Sequence, residues 1–276
     1  MTPSMDAESD PESLRLLAES LRTTMTAASG GKLDEALTDL GWRDMLDEMP
    51  DIAIPLVFKL LGETGAHAPV LNDVVLCAAG DAPGDTLPLP FAGGSWVLWE
   101  RRDGNDMAID ELLPIHPVPQ EDPLPPAALH AGRRALGWWL VGTSRAMLSS
   151  ARQHAVDRVQ FGRHISSFQA IRHRLAETLV AIESAEATLQ VATECADPQG
   201  LASLLAKAAA GQAALTAARH CQQVLGGIGF TAEHPLHHHI KRSLILDGLL
   251  GSSRELTHEA GKAVVAAGSA PRLAQL

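Results

Sequence analysis

Two stretches of the sequence combine residue types that could bind an anionic group. Residues 158–169 begin with Arg158, contain an aromatic residue beside a glycine, and end on the amide Gln169. Residues 223–230 begin with Gln223 and hold three glycines, which let backbone N–H groups approach a ligand closely at a helix end. Arginine and glutamine beside exposed amides suit a diphosphate. Taken singly, each stretch could also be structural, either a corner between helices or a helix C-cap.

Long helices are predicted around both stretches, because apolar residues recur there at three- and four-residue steps. The first helix runs from about residue 127 towards Val156, so the first stretch lies between it and a second helix that ends near Asp197. The second stretch closes a third helix, and further helices are predicted over residues 236–250 and 254–267. Long antiparallel helices with short connections form a bundle.

The chain before this bundle predicts two smaller units. Leucines at helical spacing predict short helices within residues 1–71, one of them over residues 33–47. Residues 72–126 hold nine of the 17 prolines and short alternating runs, which indicate a reduced β-rich segment ending in a Pro-rich linker over residues 116–126. We therefore predict a mainly α fold, with residues 127–276 as a C-terminal four-helix bundle domain.

Composition excludes disorder and a disulfide scaffold. The 276 residues are 46% apolar and 20% charged, with ten aromatic residues, so packing must rest on Leu, Ala, Val and Ile. The cysteines, Cys77, Cys195 and Cys221, are odd in number and lack C-x-x-C spacing, which fits a reducing compartment and gives no zinc site. No signal peptide or membrane span is predicted, and we expect a cytoplasmic protein with no membrane partner.

Charge divides the chain into two unequal halves. Residues 1–128 carry 23 acidic against 7 basic residues, whereas residues 129–276 carry 10 acidic against 15 basic residues. This surplus is too weak for a nucleic-acid footprint, and no base-stacking pattern accompanies it. The second half is therefore expected to favour a small anionic ligand.

In their order and spacing, the two stretches resemble the C-terminal bundle of the acyl-CoA dehydrogenase family. The family pattern R-x-x-F-G-x-x-I-x-x-x-Q is matched by residues 158–169, and the later Q-x-x-G-G-x-G-F by residues 223–230, followed by Pro235 and the basic pair Lys241-Arg242. The likeness covers roughly residues 129–260. Residues 37–63 look like a remnant of the family's N-terminal helical domain.

The resemblance implies a bound FAD that is shared across a subunit interface. In the family, the residues of these motifs hold the FAD diphosphate and adenosine of a neighbouring subunit. In this sequence that role falls on Arg158, Phe161, Gln169, Gln223, Gly226 and Gly227.

Two departures from the family pattern concern catalysis. The glutamate that abstracts the α-proton would stand at Leu250, and the alternative position used by some members is Gly132, so both usual bases are expected to be absent. Only about 55 residues separate the N-terminal remnant from the bundle, where the family has a β domain of around a hundred that holds the flavin ring. With these losses, the chain resembles a non-catalytic subunit of a heteromeric, steroid-type acyl-CoA dehydrogenase that works with a full-length partner.

Other residues could supply the missing chemistry. Asp247 could be a displaced base, or a helix-end charge paired with Arg242, and His130 could be a general base at the opposite wall. The histidines at positions 234 and 237–239 splay apart on a helix, so we expect no metal site. Ser252 could contact a cofactor or cap the last helix. The alternatives to a dehydrogenase subunit are a flavin-free assembly protein and an acyl-CoA lyase or hydratase that uses Asp247 or His130.

Overall fold

The computed structural model describes residues 11–101, 113–194 and 200–269. Its N-terminal part consists of five helices, which are α1 (Pro11–Ala27), α2 (Gly31–Asp39), α3 (Trp42–Glu48), α4 (Pro50–Thr64) and α5 (Val70–Ala79). The single helix predicted over residues 33–47 is wrong. Gly41, at φ 83°, ends α2 and starts α3, because this left-handed conformation interrupts the helix and suits glycine.

A small antiparallel sheet follows the N-terminal helices. Strands β1 (Pro88–Phe91), β2 (Ser95–Trp99) and β3 (Ile115–Val118) pair in the order β1-β2-β3, with Leu89 opposite Val97 and Val97 opposite Pro117. Part of the predicted linker over residues 116–126 is therefore the edge strand β3, an edge position that tolerates Pro117.

The C-terminal part is a bundle of long helices. It contains α6 (Pro126–Asp157), a hairpin of β4 (Val159–Gln160) and β5 (Arg163–His164), α7 (Gln169–Glu194), α8 (Leu201–Leu225), α9 (Leu236–Gly248) and α10 (Ser253–Ala267). The prediction of a mainly α fold with a C-terminal helix bundle and a short β segment is confirmed. The predicted boundary between residues 71 and 72 falls inside α5, so we propose that the N-terminal helical unit extends to Ala79.

The N-terminal helices and the bundle share one core. Helices α4 and α6 touch through their backbones, because a Cβ added at Gly142 would lie 2.1 Å from the carbonyl oxygen of Lys59. Beside this contact, the ring of Trp139 stacks on Trp99 of β2 at 5.5 Å and meets Phe58 of α4 edge-on at 5.6 Å. The sheet, α4 and α6 are thus held together by one buried aromatic group.

A buried ion network also ties the sheet to the N-terminal helices. The Arg101 guanidinium donates to both carboxylate oxygens of Asp34 at 2.9 Å and to Asp73. Asp73 in turn accepts hydrogen bonds from the Trp42 indole at 3.0 Å and from the Gly84 N–H at 2.9 Å. Charged groups this deeply buried require such pairing.

One segment of the described chain, Leu201–Phe230, is long and apolar enough to cross a membrane by length and composition. However, 72% of its most apolar window is buried inside the fold. This burial is typical of the central helix of a bundle.

Candidate functional site

The two sequence motifs lie at the same end of the bundle, which we call the motif end (residues 158–169 and 223–230). Helices α6 and α8 finish there, and α7 and α9 begin there. A small apolar cluster that includes Met147 and Ala155 of α6, Val224 of α8 and Leu236 of α9 holds these termini together. The structure therefore brings together two motifs separated by more than fifty residues in sequence.

The first motif forms an exposed hairpin. Arg158 follows α6 in an extended conformation and is exposed. Phe161 (φ 54°) and Gly162 (φ 76°) make the turn between β4 and β5, and the Phe161 side chain is 90% exposed. A bulky residue with a positive φ is uncommon, and an aromatic ring so exposed offers contact area to another molecule. Gln169, the first residue of α7, is also exposed.

The second motif leaves backbone open to a ligand. Helix α8 ends at Leu225, and Gly226 turns the chain with φ 65° into a 3₁₀ turn over Gly226–Phe230. A Cβ added at Gly226 or Gly227 would meet no atom within 4 Å, and the preceding Gln223 is exposed. A group the size of a diphosphate could therefore approach these backbone atoms directly.

The charge around the motif end is positive. Between residues 151 and 174 the chain has five arginines and one acidic residue, Asp157. Burial lowers the pKa of His154, and the nearby charges of Arg158 and His234 lower it further. This field favours an anionic ligand, in agreement with the distribution of charge along the sequence.

The two positions expected for a catalytic glutamate, Leu250 and Gly132, are in contact with each other. Leu250 follows α9, adopts φ 56° and is 1% exposed. A Cβ added at Gly132 of α6 would lie 2.5 Å from Cδ1 of Leu250 and 3.0 Å from Cγ2 of Val75 in α5. The place is filled by a tight apolar contact, and neither residue can accept a proton.

The Asp247 carboxylate, the candidate for a displaced base, is buried and hydrogen-bonded within the chain. Its carboxylate accepts hydrogen bonds from the N–H (3.1 Å) and the hydroxyl (3.3 Å) of Ser253, at the start of α10. Asp247 lies in the last turn of α9, whereas Leu250 lies beyond the end of that helix, so the two residues do not share a helix face. Arg242, expected as a partner of Asp247, donates to the carbonyls of Gly65 and Ala66 instead.

His130 packs against a turn, and Ser252 caps a helix. A Cβ added at Gly200 would lie 1.9 Å from Nε2 of His130, so this ring is packed against the turn before α8. Ser252 caps α10 in a capping box with Glu255, as one of the two sequence alternatives proposed.

The histidines near the start of α9 bond to local backbone. Nδ1 of His234 accepts from the N–H of Leu236 at 3.1 Å, and Nδ1 of His237 lies 2.8 Å from the His234 carbonyl oxygen. Burial lowers the pKa of His239 to about 4. Within residues 11–101, 113–194 and 200–269, no group of three or more His, Cys, Asp or Glu could hold a metal ion.

Two buried basic side chains, which the sequence motifs did not reveal, hold the loop between α9 and α10. Lys207 of α8 donates to the carbonyls of Asp247 (2.7 Å) and Gly251 (2.5 Å), and Nε of Arg133 donates to the Leu250 carbonyl at 3.1 Å. The sequence signal for Lys207 was its position inside the apolar run LLAKAAAG, because the helical period places this lysine on the inner face of α8.

Strand β1 covers this loop from the other side. The Leu250 N–H donates to the Pro90 carbonyl at 2.8 Å, and Phe91 bridges to Leu249. The Gly93 N–H also donates to Oε1 of Glu255 at 2.8 Å. The region around Leu250 is thus closed by the chain's own sheet.

A separate cleft of about 300 Å³ opens between α3, α4, α5 and α6. Its apolar wall includes Ile54, Val74 and Trp138, and its polar side chains include Asp51 and Arg134. The cleft is lined neither by the motif end nor by Leu250.

Comparison with known proteins identifies the class of this fold. The family model "Acyl-CoA dehydrogenase, C-terminal domain" matches residues 125–263, about half of the chain. Acyl-CoA dehydrogenase FadE34 of Mycobacterium tuberculosis is 34% identical over 198 residues, which cover 63% of this chain and 27% of that protein. Acyl-CoA dehydrogenase IpdE2 of the same organism is 40% identical over 116 residues, 42% of this chain and 36% of IpdE2. The chain belongs to the acyl-CoA dehydrogenase family.

Solved structures share the fold over most of the chain. A steroid acyl-CoA dehydrogenase, Tcur3481-Tcur3483, superposes with a TM-score of 0.66 at 18% identity, over 93% of this chain and 99% of that chain. The ChsE4-ChsE5 complex of Mycobacterium tuberculosis gives a TM-score of 0.63 at 19% identity, over 93% and 98% of the two chains. The chain spans only about a quarter to a third of the curated relatives named above.

Proposed function

We propose that this chain is a subunit of an FAD-dependent acyl-CoA dehydrogenase, an oxidoreductase that introduces an α,β double bond into an acyl-CoA thioester. In this proposal the chain contributes contacts to an FAD diphosphate in trans, lacks the usual catalytic glutamate and works in the cytoplasm beside a full-length partner. Two of the structural relatives are a steroid acyl-CoA dehydrogenase and a two-component complex, which favours a bulky acyl group and a heteromer.

The observation that carries the proposal is the openness of the motif end. Arg158, Gln169 and Gln223 are exposed, and the backbone at Gly226 and Gly227 has free space above it. The guanidinium of Arg158 would pair with a phosphate oxygen, the two glutamine amides would donate hydrogen bonds, and Phe161 would cover an apolar part of the ligand. When bound, FAD supplies the acceptor for the substrate hydride.

Geometry within the chain favours contact with a partner's cofactor. Trp139 of α6 contacts the sheet, and Arg158 follows the C-terminal end of the same helix. The 19 residues from Trp139 to Arg158 correspond to about 28 Å along the helix axis. The described sheet has three short strands, and its first strand is bonded to the α9–α10 loop. A flavin ring held by a second subunit, with its diphosphate at this motif end, accounts for both features.

The test is the flavin content of the chain alone and of its complex. The tagged chain is purified by itself and after co-expression with a candidate partner, a full-length acyl-CoA dehydrogenase, and FAD is quantified by absorbance together with native mass spectrometry. We expect a colourless isolated chain and a yellow complex. Stoichiometric FAD in the isolated chain would refute the contribution in trans, and a stable complex without flavin would support the flavin-free assembly protein instead.

The lyase or hydratase alternative would need a free base in the chain. Both carboxylate oxygens of Asp247 already accept hydrogen bonds from Ser253, and His130 packs against Gly200. We therefore retain the dehydrogenase subunit as the proposed function.

A further inference from the structure

The cleft between α3, α4, α5 and α6 has an apolar floor. Leu46, Ile54, Val74 and Trp138 line it, and each of these side chains is otherwise buried in the fold. The volume of about 300 Å³ corresponds to roughly ten water molecules at about 30 Å³ each. Because an apolar group that displaces water from such a floor gains free energy, the cleft suits a small ligand with an apolar part.

Two carboxylates stand at the rim of this cleft. Asp47 of α3 and Asp51 of α4 are exposed, and neither has a hydrogen-bond or ion-pair partner among the residues that the structure describes. Asp51 lies in the first turn of α4, where a negative charge stabilises the helix. Asp47 lies in the last turn of α3, where the helix dipole disfavours a negative charge. Helix stability therefore gives no reason for the carboxylate of Asp47.

The electrostatic character of the cleft is negative. Its lining holds these two carboxylates against one guanidinium, that of the half-buried Arg134 on α6. The thiol of Cys77 on the α5 wall responds to this field, because burial raises its pKa and the negative charges of Asp73 and Asp47 raise it further. The cleft thus combines an apolar floor with a rim that attracts cations.

We propose that this cleft binds a small aliphatic amine, a free molecule whose alkyl chain packs on the floor and whose ammonium group pairs with Asp47 and Asp51 at the rim. This binding site goes beyond the proposed function. It is made of residues of this chain alone, lies apart from the motif end and does not depend on FAD.

The floor and the rim contribute differently to binding. Each methylene group that is buried on the floor should tighten binding about fourfold. Each exposed ion pair between the ammonium group and a rim carboxylate should add a smaller factor, about 1.4- to 5-fold. The floor therefore sets the affinity, and the rim sets the preference for a cation over a neutral or anionic molecule with the same alkyl chain.

Titration of the full chain with hexylammonium, followed by the methyl signals of Ile54 in NMR spectra, tests the proposal. Hexanol and hexanoate, which have alkyl chains of similar length, are the matched probes. We expect hexylammonium to bind saturably and about two- to tenfold more tightly than hexanol, with hexanoate the weakest. Affinity should rise about fourfold per methylene from propylammonium upward until the cleft is full. Ile182, which is buried in the bundle, is the remote reporter and should not shift.

Substitutions separate the rim from the floor. The double change Asp47→Asn and Asp51→Asn should reduce the affinity for hexylammonium to that for hexanol. Asp44 is an exposed carboxylate of α3 outside the lining, so Asp44→Asn is the matched control and should leave the affinity unchanged. Ala78→Leu places a larger side chain at a half-buried position of the lining and should weaken all three probes.

Three results would overturn the proposal, and the first two need only the unmodified chain. Equal binding of the three probes, or tighter binding of hexanoate, would mean that the rim does not select a cation. Absence of any shift at Ile54 would mean that the cleft is not a binding site. Binding that occurs in the chain alone but is blocked in a complex with a partner subunit would assign the cleft to the protein interface.

Discussion

The motif end and the region around Leu250 have opposite characters. At the motif end, polar side chains and open glycine backbone face outward, and Phe161 is almost fully exposed. Around Leu250, an apolar side chain fills the space over Gly132, and β1 closes the loop above it. Both regions correspond to motif positions of the same family, but only the first is open to another molecule. This contrast supports a subunit that lends contacts to a partner and performs no proton abstraction itself.

Glycine has a different purpose in each of these regions. Gly132 is buried and makes room for Leu250, so its missing side chain serves internal packing. Gly226 and Gly227 have nothing over them, so the missing side chains leave access from outside. The following variants, ordered by expected effect, test this contrast.

Leu250→Glu should be the most damaging change, with a loss of about 3–5 kcal/mol in the free energy of unfolding, because a carboxylate would be buried against Gly132 and Val75. Chemical denaturation of the purified chain measures this loss. Leu250→Met, which conserves volume, is the control and should cost less than about 1.5 kcal/mol. An unchanged stability in Leu250→Glu would mean that this region is open, like a catalytic site.

Arg158→Ala should weaken FAD binding by the complex by about 1.5–3 kcal/mol, which is the range of a charge-assisted hydrogen bond. FAD titration of the apo complex measures this change, and thermal unfolding should be unaffected because Arg158 is exposed. Arg152→Ala is the matched control, because Arg152 is also exposed and lies within the last turns of α6. Equal FAD affinity in both variants would place Arg158 outside the cofactor site.

A methyl group added in each region should act in opposite ways. Gly132→Ala should lower the free energy of unfolding by about 1–3 kcal/mol through its collision with Leu250. Gly227→Ala should change it by less than about 0.5 kcal/mol, yet should reduce FAD occupancy in the complex. Denaturation and flavin content of the same two variants provide the comparison, and a stable Gly132→Ala protein would contradict it.

Asp247→Asn should have the smallest effect on catalysis, with turnover of the complex remaining within a few-fold. Removal of a general base typically costs about 10² to 10⁴ in rate, so the two outcomes are well separated. Steady-state assays with saturating acyl-CoA measure this, alongside FAD content. A loss in the larger range with FAD still bound would make Asp247 a displaced base and would assign the chain a catalytic role.

Periodicity was enough to predict the bundle, because α6 to α8 repeat apolar residues over 25 residues or more. Shorter elements were harder to predict. One glycine conformation at Gly41 divides a helix that propensity alone would continue, and α5 begins before the composition shift that suggested a boundary. Local signals at such places compete with tertiary packing, which a single sequence does not display.

Both motifs could be recognised in the sequence because each is contiguous, and the second contains three glycines. That they meet at one end follows from the alternating directions of the helices. The acceptors of Lys207 and Arg133 could not be predicted in this way, since both side chains donate to backbone carbonyls of the α9–α10 loop. A backbone acceptor leaves no trace in residue identity.

The aromatic group around Trp139 determines which part of this chain intrinsic fluorescence can monitor. The sequence has five tryptophans and no tyrosine, and all five tryptophans lie between residues 42 and 139. Trp42, Trp99 and Trp139 are fully buried at the interface between the N-terminal helices, the sheet and α6. Intrinsic tryptophan fluorescence will therefore report on unfolding of that interface. The motif end contains no tryptophan, so changes there must be followed by the absorbance of the flavin or by an introduced fluorophore.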